Sequence, residues 1–327
     1  LRHDVFNLYG KTLHGEYRFD SLDDFAARNY SRFILRQPAD GYTAADTAAA
    51  LVYSQISPYI QDTWQASDQL SLTYGVRVNI PRADKSPERT PGYEDTFGFP
   101  NDYRLGSDNK VVLPRLSFNY MFDTPRYSQL RGGVGLFQSV PPFVWLANPY
   151  QNNGVTAVSY TSFDPADAPF SADPYNQNVP GTGGGTGSVA YQVDAIDPDF
   201  KLPTVWKFTL GYDRELPWWG LIGSVDFLSI RAKDAVFYQA INIGEAQGTL
   251  ADGRDNYRCL PAGGVHGGYN ALLNFSGNNC GMNPAFDWDS TKLGNTDEGV
   301  SNSLTLALKK PLSNGWYGNL SYTYTDA

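Results

Sequence analysis

Leu70-Ser71-Leu72-Thr73-Tyr74-Gly75-Val76-Arg77-Val78-Asn79-Ile80 alternates without a slip. Leu70, Leu72, Tyr74, Val76, Val78 and Ile80 fall on one side; Ser71, Thr73, Gly75, Arg77 and Asn79 fall on the other. Period two over that length is a β-strand with one apolar face and one small, polar or cationic face. The same division recurs at 115–122, where Leu116, Phe118, Tyr120 and Phe122 oppose Arg115, Ser117 and Asn119. At 205–213, Trp206, Phe208, Leu210 and Tyr212 oppose Lys207, Thr209, Gly211 and Asp213. At 303–309, Leu304, Leu306 and Leu308 oppose Ser303, Thr305 and Lys309, and 315–325 reads the same way. The stretch 127–137 is less clean. Asp62 and Asp226 interrupt 56–66 and 221–231, and 8–19 is the weakest strand.

A water-soluble sandwich also alternates, so connection length has to decide. Short turns at 67–68, 123–126, 216–219 and 311–314 alternate with long connections at 21–51, 81–110, 140–202 and 232–299. Short turns on one side and long loops on the other are the signature of an antiparallel transmembrane β-barrel, with short periplasmic turns and long extracellular loops. Trp64, Trp218, Trp219, Trp316, Tyr322 and Tyr324 lie near strand ends, where interfacial aromatic girdles sit. The expected fold over 1–327 is therefore all-β, with about nine membrane-crossing strands.

Composition agrees. No apolar run approaches the ~18 residues of a membrane helix. The net charge of −9 and the absence of a basic block exclude a nucleic-acid partner. Two cysteines cannot staple 327 residues, and the three histidines show no ligand spacing. The chain opens without a signal peptide. It closes on Thr325-Asp326-Ala327, without an aromatic end. With an odd strand count, this predicts an internal piece of a larger barrel.

The segment Tyr59-Ile-Gln-Asp-Thr-Trp-Gln-Ala-Ser-Asp-Gln-Leu-Ser-Leu-Thr-Tyr-Gly-Val-Arg-Val78 resembles a hairpin of TonB-dependent outer-membrane receptors, in particular their Oar-like (OmpA-related) branch. Val78 stands where Tyr is usual in that hairpin. Weaker matches are Pro114–Phe118, Leu130–Phe137, Pro203–Tyr212 and Leu312–Tyr324. The resemblance implies a barrel of about 22 strands. It also implies an N-terminal plug, a TonB box that contacts the energising inner-membrane complex, and uptake of a scarce solute such as a peptide, oligosaccharide or metal chelate. Plug, TonB box and C-terminal strands lie outside these residues. Outer-membrane lipid or lipopolysaccharide is the surrounding partner, and the cell outer membrane of a Gram-negative bacterium is the implied location.

Other features are read from the residues. Cys259 and Cys280 share one long connection and are disulfide candidates in an oxidising compartment. Asp194, Asp197 and Asp199 offer carboxylates, but their spacing fits no calcium loop, so no metal is assigned. The glycine run at 181–187 lacks the context of a phosphate loop and reads as a flexible tip. Phe143, Trp145 and Tyr150 could form a ledge contacting ligand above the lumen; packing against neighbouring loops is the plainer reading. Arg77, Arg115, Arg131, Lys207, Asp213 and Lys309 are expected to face the lumen, as plug or substrate contacts, and Gly132, Gly133 and Gly135 would admit a close partner. No catalytic constellation and no cofactor motif is present. Two other readings stay open: a surface adhesion or protein-export barrel, and a soluble secreted β-rich protein.

Overall fold

The alternating stretch at 70–80 is the lower part of a longer strand. The computed structural model describes residues 1–181, 192–244, 246, 248–256, 283, 285–286, 290–313 and 315–327. In chain order the strands are β1 (Arg2–Leu8), β2 (Glu16–Arg18), β3 (Arg32–Pro38), β4 (Ala49–Ile56), β5 (Tyr59–Gln65), β6 (Leu70–Ala83), β7 (Val111–Met121), β8 (Ser128–Gln138) and β9 (Ala157–Ser162). They continue as β10 (Asp194–Ile196), β11 (Thr204–Glu215), β12 (Ile222–Ala240), β13 (Gly248–Thr249), β14 (Asp255–Asn256), β15 (Thr291–Thr296), β16 (Val300–Ser313) and β17 (Trp316–Asp326). The helices are α1 (Leu22–Ala27), α2 (Tyr93–Phe97) and α3 (Phe143–Gln151).

Twelve of these strands share one sheet. β4 and β5 both pair with β6, at Tyr53–Ile56 and Tyr59–Gln65, and so form one lane broken at Pro58. Pro58 has no N–H to donate, but its carbonyl accepts from Val78 N at 2.9 Å, so the ladder runs through the break. β15 and β16 likewise pair with successive parts of β12. The wall is thus a meander of lanes: β1, β4–β5, β6, β7, β8, β11, β12, β15–β16 and β17, each antiparallel to the next. Its tight turns have local causes. Ser67 Oγ accepts from Gln69 N and Leu70 N, and Gly315, at φ 80, takes the left-handed turn position before β17.

Two expectations are corrected. The weak strand expected at 8–19 lies earlier, as β1, because the chain turns through a 3-10 segment at Lys11–His14; β2 then joins a separate sheet. The long connections are shorter than the alternation suggested, since β4 begins at Ala49 and β12 runs on to Ala240. Ala49 and Leu51 of the first extension are buried, whereas Phe237 and Tyr238 of the second stay exposed. The wall does not close on itself: β1 lies at one edge, and β17, with β10 beside β15, at the other, so it is an open sheet.

The long loops carry structure of their own. β2, β3 and β9 form a second sheet from two different connections, and Tyr30, Phe33, Leu35 and Ala168 are buried against it. The loop after β8 folds α3 back onto the wall.

Candidate functional site

Residue parity sorts the wall into two faces. Gly75, Arg115, Gly135 and Lys207 lie directly across from one another on β6, β7, β8 and β11. Asn119, Arg131, Gly211, Asp226 and Thr305 form a second row, and Gln129, Asp213, Ser224 and Ala307 a third. Arg77 and Lys309 share that parity. The structure thus places all six expected lumen residues on one face, and it is the face against which α3 packs. The other face carries Leu72, Phe118, Phe208, Leu210, Val225, Phe227, Leu304 and Leu306.

The inner face has two levels. Near the short turns it is polar. Arg131 reaches Asp213 at 2.9 Å and Asp226 at 2.8 Å, and Ser224 Oγ donates to Asp213 Oδ1 at 2.6 Å. Hydroxyls pair across strands at Thr305–Thr323 and Ser303–Thr325, each 2.9 Å apart. Higher up, Arg77 Nε donates to Asn79 Oδ1, Asn79 Nδ2 donates to Gln138, and Gln138 Nε2 donates to Gln55. Lys207 Nζ lies 5.5 Å from the centre of the Phe137 ring. Arg115 and Lys309 are exposed.

Toward the long loops the same face turns apolar: Phe6, Leu51, Tyr53, Ala83, Val111 and Leu113. α3 covers it. Pro141 and Pro142 precede the helix and suit its start, since the missing N–H groups would be unsatisfied there anyway. Phe143 sits 5.0 Å from Phe6 and 5.2 Å from Tyr53, ring centre to ring centre, with the Arg2 guanidinium 4.6 Å above its face. Tyr150 is buried and donates to the Lys85 carbonyl at 2.6 Å. The expected ledge is therefore divided. Phe143 and Tyr150 pack inward, and Trp145 stays 39% exposed, stacked 5.8 Å from Tyr238 of β12. The Phe6–Phe143–Tyr150 contact leaves a void of about 10 Å³, too small for more than one water.

Around α3 a buried polar seam ties the loops together. Arg36 of β3 donates to Asn152 Oδ1 at 2.7 Å and to the Gln151 carbonyl. Asn152 Nδ2 donates to Asp194 Oδ2 at 2.7 Å, and Thr291 Oγ1 donates to Asp194 Oδ1. Burial pushes the Asp194 carboxyl up, only partly offset by those donors. Asp197 lies at the surface edge; burial raises it, but the Lys292 ammonium at 2.9 Å outweighs that and holds it below its usual range. The acidic stretch at 194–199 is thus spent on a buried seam and an ion pair. Among the described residues no group of three or more metal-ligating side chains occurs.

The expected glycine gaps are filled by the wall itself. A Cβ on Gly132 would meet the Phe118 ring at 2.7 Å, and one on Gly135 the Phe137 ring at 3.0 Å. Cys259, Cys280 and the glycines at 182–187 lie outside the described residues. One feature had no local signal: an open cleft of about 430 Å³ at the loop side, lined by Phe97, Phe99, Gln239, Ile241 and Lys292. Its walls lie more than a hundred residues apart in the chain.

A wall with an apolar outer face, a polar inner face, short turns below and folded loops above is a membrane-spanning design. The whole chain, residues 1–327, matches the family described as the outer membrane beta barrel domain. The chain belongs to that family. It resides in the outer membrane, and its strands form barrel wall. No curated protein matches the sequence. Among solved structures, the siderophore receptor PirA from Pseudomonas aeruginosa is similar at 13% identity, with a TM-score of 0.40, over 90% of this outer-membrane chain and 42% of PirA. The chain spans less than half the length of that receptor.

Proposed function

We propose that this outer-membrane chain is wall of a TonB-dependent receptor of the Oar-like kind. The receptor takes up a scarce solute through a barrel whose lumen holds a plug. The observation that carries the reading is the inner face. Arg115 and Lys309 project from it with no hydrogen-bond or ion-pair partner among the described residues, and Lys207 lies over the Phe137 ring of the wall without a carboxylate partner. Cations on a lumen wall call for a polar occupant, which a plug supplies, and polar interiors of large barrels are generally filled. The resemblance of residues 59–78 to the receptor hairpin supports the same conclusion. No catalytic role is proposed.

The test uses a Gram-negative strain lacking the gene, with and without a functional TonB. Growth is compared on iron chelates, oligosaccharides and short peptides as sole scarce source. Loss of growth on one class in both backgrounds is expected. Unchanged growth on all three would sink the transport reading and leave an adhesion or export barrel.

A further inference from the structure

The cleft on the loop side has two walls of different chemistry. It opens on the face of β15 turned away from α3. Leu293 of β15 is buried in one core with Leu146 of α3, so alternation puts the neighbouring Lys292 on the opposite face. Register sets Lys292 beside Gln239 of β12 on one side and Ala195 of β10 on the other. Across from this strip stand Phe97, at the end of α2, and Phe99.

The aromatic wall is held in place. Buried Tyr93 contacts both rings, with centres 4.7 Å from Phe97 and 5.5 Å from Phe99, and Phe97 lies 5.3 Å from Phe286. Buried Asn242 donates to the carbonyls of Asn283 and Phe286, and Asn283 Nδ2 donates to Thr96 Oγ1 at 2.9 Å. Phe97 and Phe99 stay half-buried while so fixed, which leaves apolar surface free toward the cleft. Its volume of about 430 Å³ falls within the range of about 300–1,000 Å³ usual for small-ligand sites.

The polar groups set the charge of the ligand. Lys292 Nζ is paired with Asp197 at 2.9 Å and lies 5.2 Å from the centre of the Phe99 ring. That pair is neutral as a unit, and none of the other described lining residues is charged. An anionic metal chelate would need unpaired cations, and a free peptide would need a carboxylate for its amino terminus; the lining offers neither. Hydrogen-bonding capacity, by contrast, is left over. An ammonium has three donors, of which Asp197 takes one. The Gln239 amide is exposed, has no hydrogen-bond partner among the described residues, and offers both donor and acceptor. Thr96 is already spent, since its hydroxyl donates to the Gly92 carbonyl and accepts from Asn283.

We propose that this cleft binds an uncharged oligosaccharide. One sugar ring lies with its C–H face on Phe97 and Phe99, whose negative π faces attract the weakly positive C–H groups. Gln239 and Lys292 bond the hydroxyls at the ring's edge. The inference rests on the uptake reading only in taking the bound sugar as the solute carried; the site itself stands on the cleft.

The full-length protein is kept in an amine-oxide detergent, which carries no sugar, and applied to a printed array of neutral and uronic-acid oligosaccharides. The best ligand is then titrated by calorimetry, with a tripeptide and a ferric hydroxamate as controls. Folding is read by the gel shift between unheated and boiled samples. A neutral oligosaccharide is expected to bind, with roughly tenfold weaker binding of either control. Gln239→Ala and Phe99→Ala should each weaken the sugar roughly fivefold while keeping the folded gel position. Phe99→Tyr keeps the ring and should keep most of the affinity. No binding by any neutral oligosaccharide, preference for the uronic-acid forms, or undiminished binding by the folded alanine variants would each overturn the proposal. The two readings fail separately. Cleft-dependent sugar binding, with unchanged growth on that sugar in the strain lacking the gene, would keep the site and sink uptake. Growth lost on peptides or iron chelates, with no sugar bound, would keep uptake and sink the site.

Discussion

Gly211 is a glycine because of what passes over it. Arg131 and Asp226 stand on either side of it in one row, and their ion pair crosses the space a side chain would fill. A Cβ there would collide with Asp226 Oδ1 and lie 2.7 Å from Arg131 Nη1. Gly211→Ala should therefore destabilise the wall by about 1–3 kcal/mol, as overpacking does. In an Arg131→Ala background the same substitution should cost much less, because the obstructing group is gone. Urea unfolding in lipid vesicles of both singles and the double variant measures the coupling. Additive costs would mean that the glycine serves some other purpose. Asp62 poses the converse problem, a carboxylate on the outward face. It lies opposite Tyr74, whose hydroxyl donates to it at 3.0 Å. Tyr74→Phe removes that donor and should cost roughly 1–3 kcal/mol in the same assay, the penalty of an acceptor left unmet. An unchanged midpoint would show that water or headgroups already serve Asp62.

At the scale of elements, legibility tracked the solvent on each side of a strand. β6, β7, β11, β16 and β17 have lipid on one face and a polar lumen on the other, so their alternation was plain in the residues. β12 was blurred because its inner face mixes Ile222, Leu228 and Ile230 with Ser224 and Asp226. α3 was missed, although Phe143, Leu146, Ala147 and Tyr150 stand at helical spacing and are its packed side. Pro141, Pro142 and Pro149 disguised it as loop. No local pattern announces the Arg36–Asn152–Asp194–Thr291 seam either, since its members come from three separate connections. That seam makes the cap sensitive to pH. Burial raises the Asp194 carboxyl, so the folded state binds its proton more tightly than the unfolded chain does. This contribution is fully present below about pH 3.9, the ordinary carboxyl value, and is lost as pH rises through the elevated folded value. The Asp194 amide, bonded to the Asn152 carbonyl at 2.8 Å, reports it. Corrected for intrinsic rates, its hydrogen-exchange protection should fall with rising pH in the parent protein and stay flat in Asp194→Asn. Protection that rises with pH would reverse the sign of the linkage.

For the whole molecule, one wall separates three environments. The outer face meets lipid, the lower inner face meets a polar lumen, and the upper inner face meets the protein's own loop. The inner face changes from Ser71, Thr73 and Arg77 to Ala83 within β6 alone, and α3 covers the part that is apolar. The facing of each strand was legible in the residues. Which part of the lumen the chain fills for itself was not, because that depends on contacts between positions about a hundred residues apart. The facing has a direct consequence for assembly. Leu72 and Phe118 lie across from each other on the outer face, and Ser71 and Asn119, Thr73 and Ser117 on the inner one. Leu72→Arg and Phe118→Arg put a cation into lipid and should each cost roughly 2–4 kcal/mol near the midplane, less toward the interface. Ser71→Arg and Ser117→Arg put the same cation on the polar face and should fold close to normally. The four variants change one side chain each, on neighbouring strands at similar depth, so propensity and size nearly cancel between the pairs. Folding yield into lipid vesicles, read by the gel shift of unheated samples, should separate the outer pair from the inner pair. Equal yields in all four would mean that the two faces do not meet different solvents, and the transmembrane assignment of these strands would fail with them.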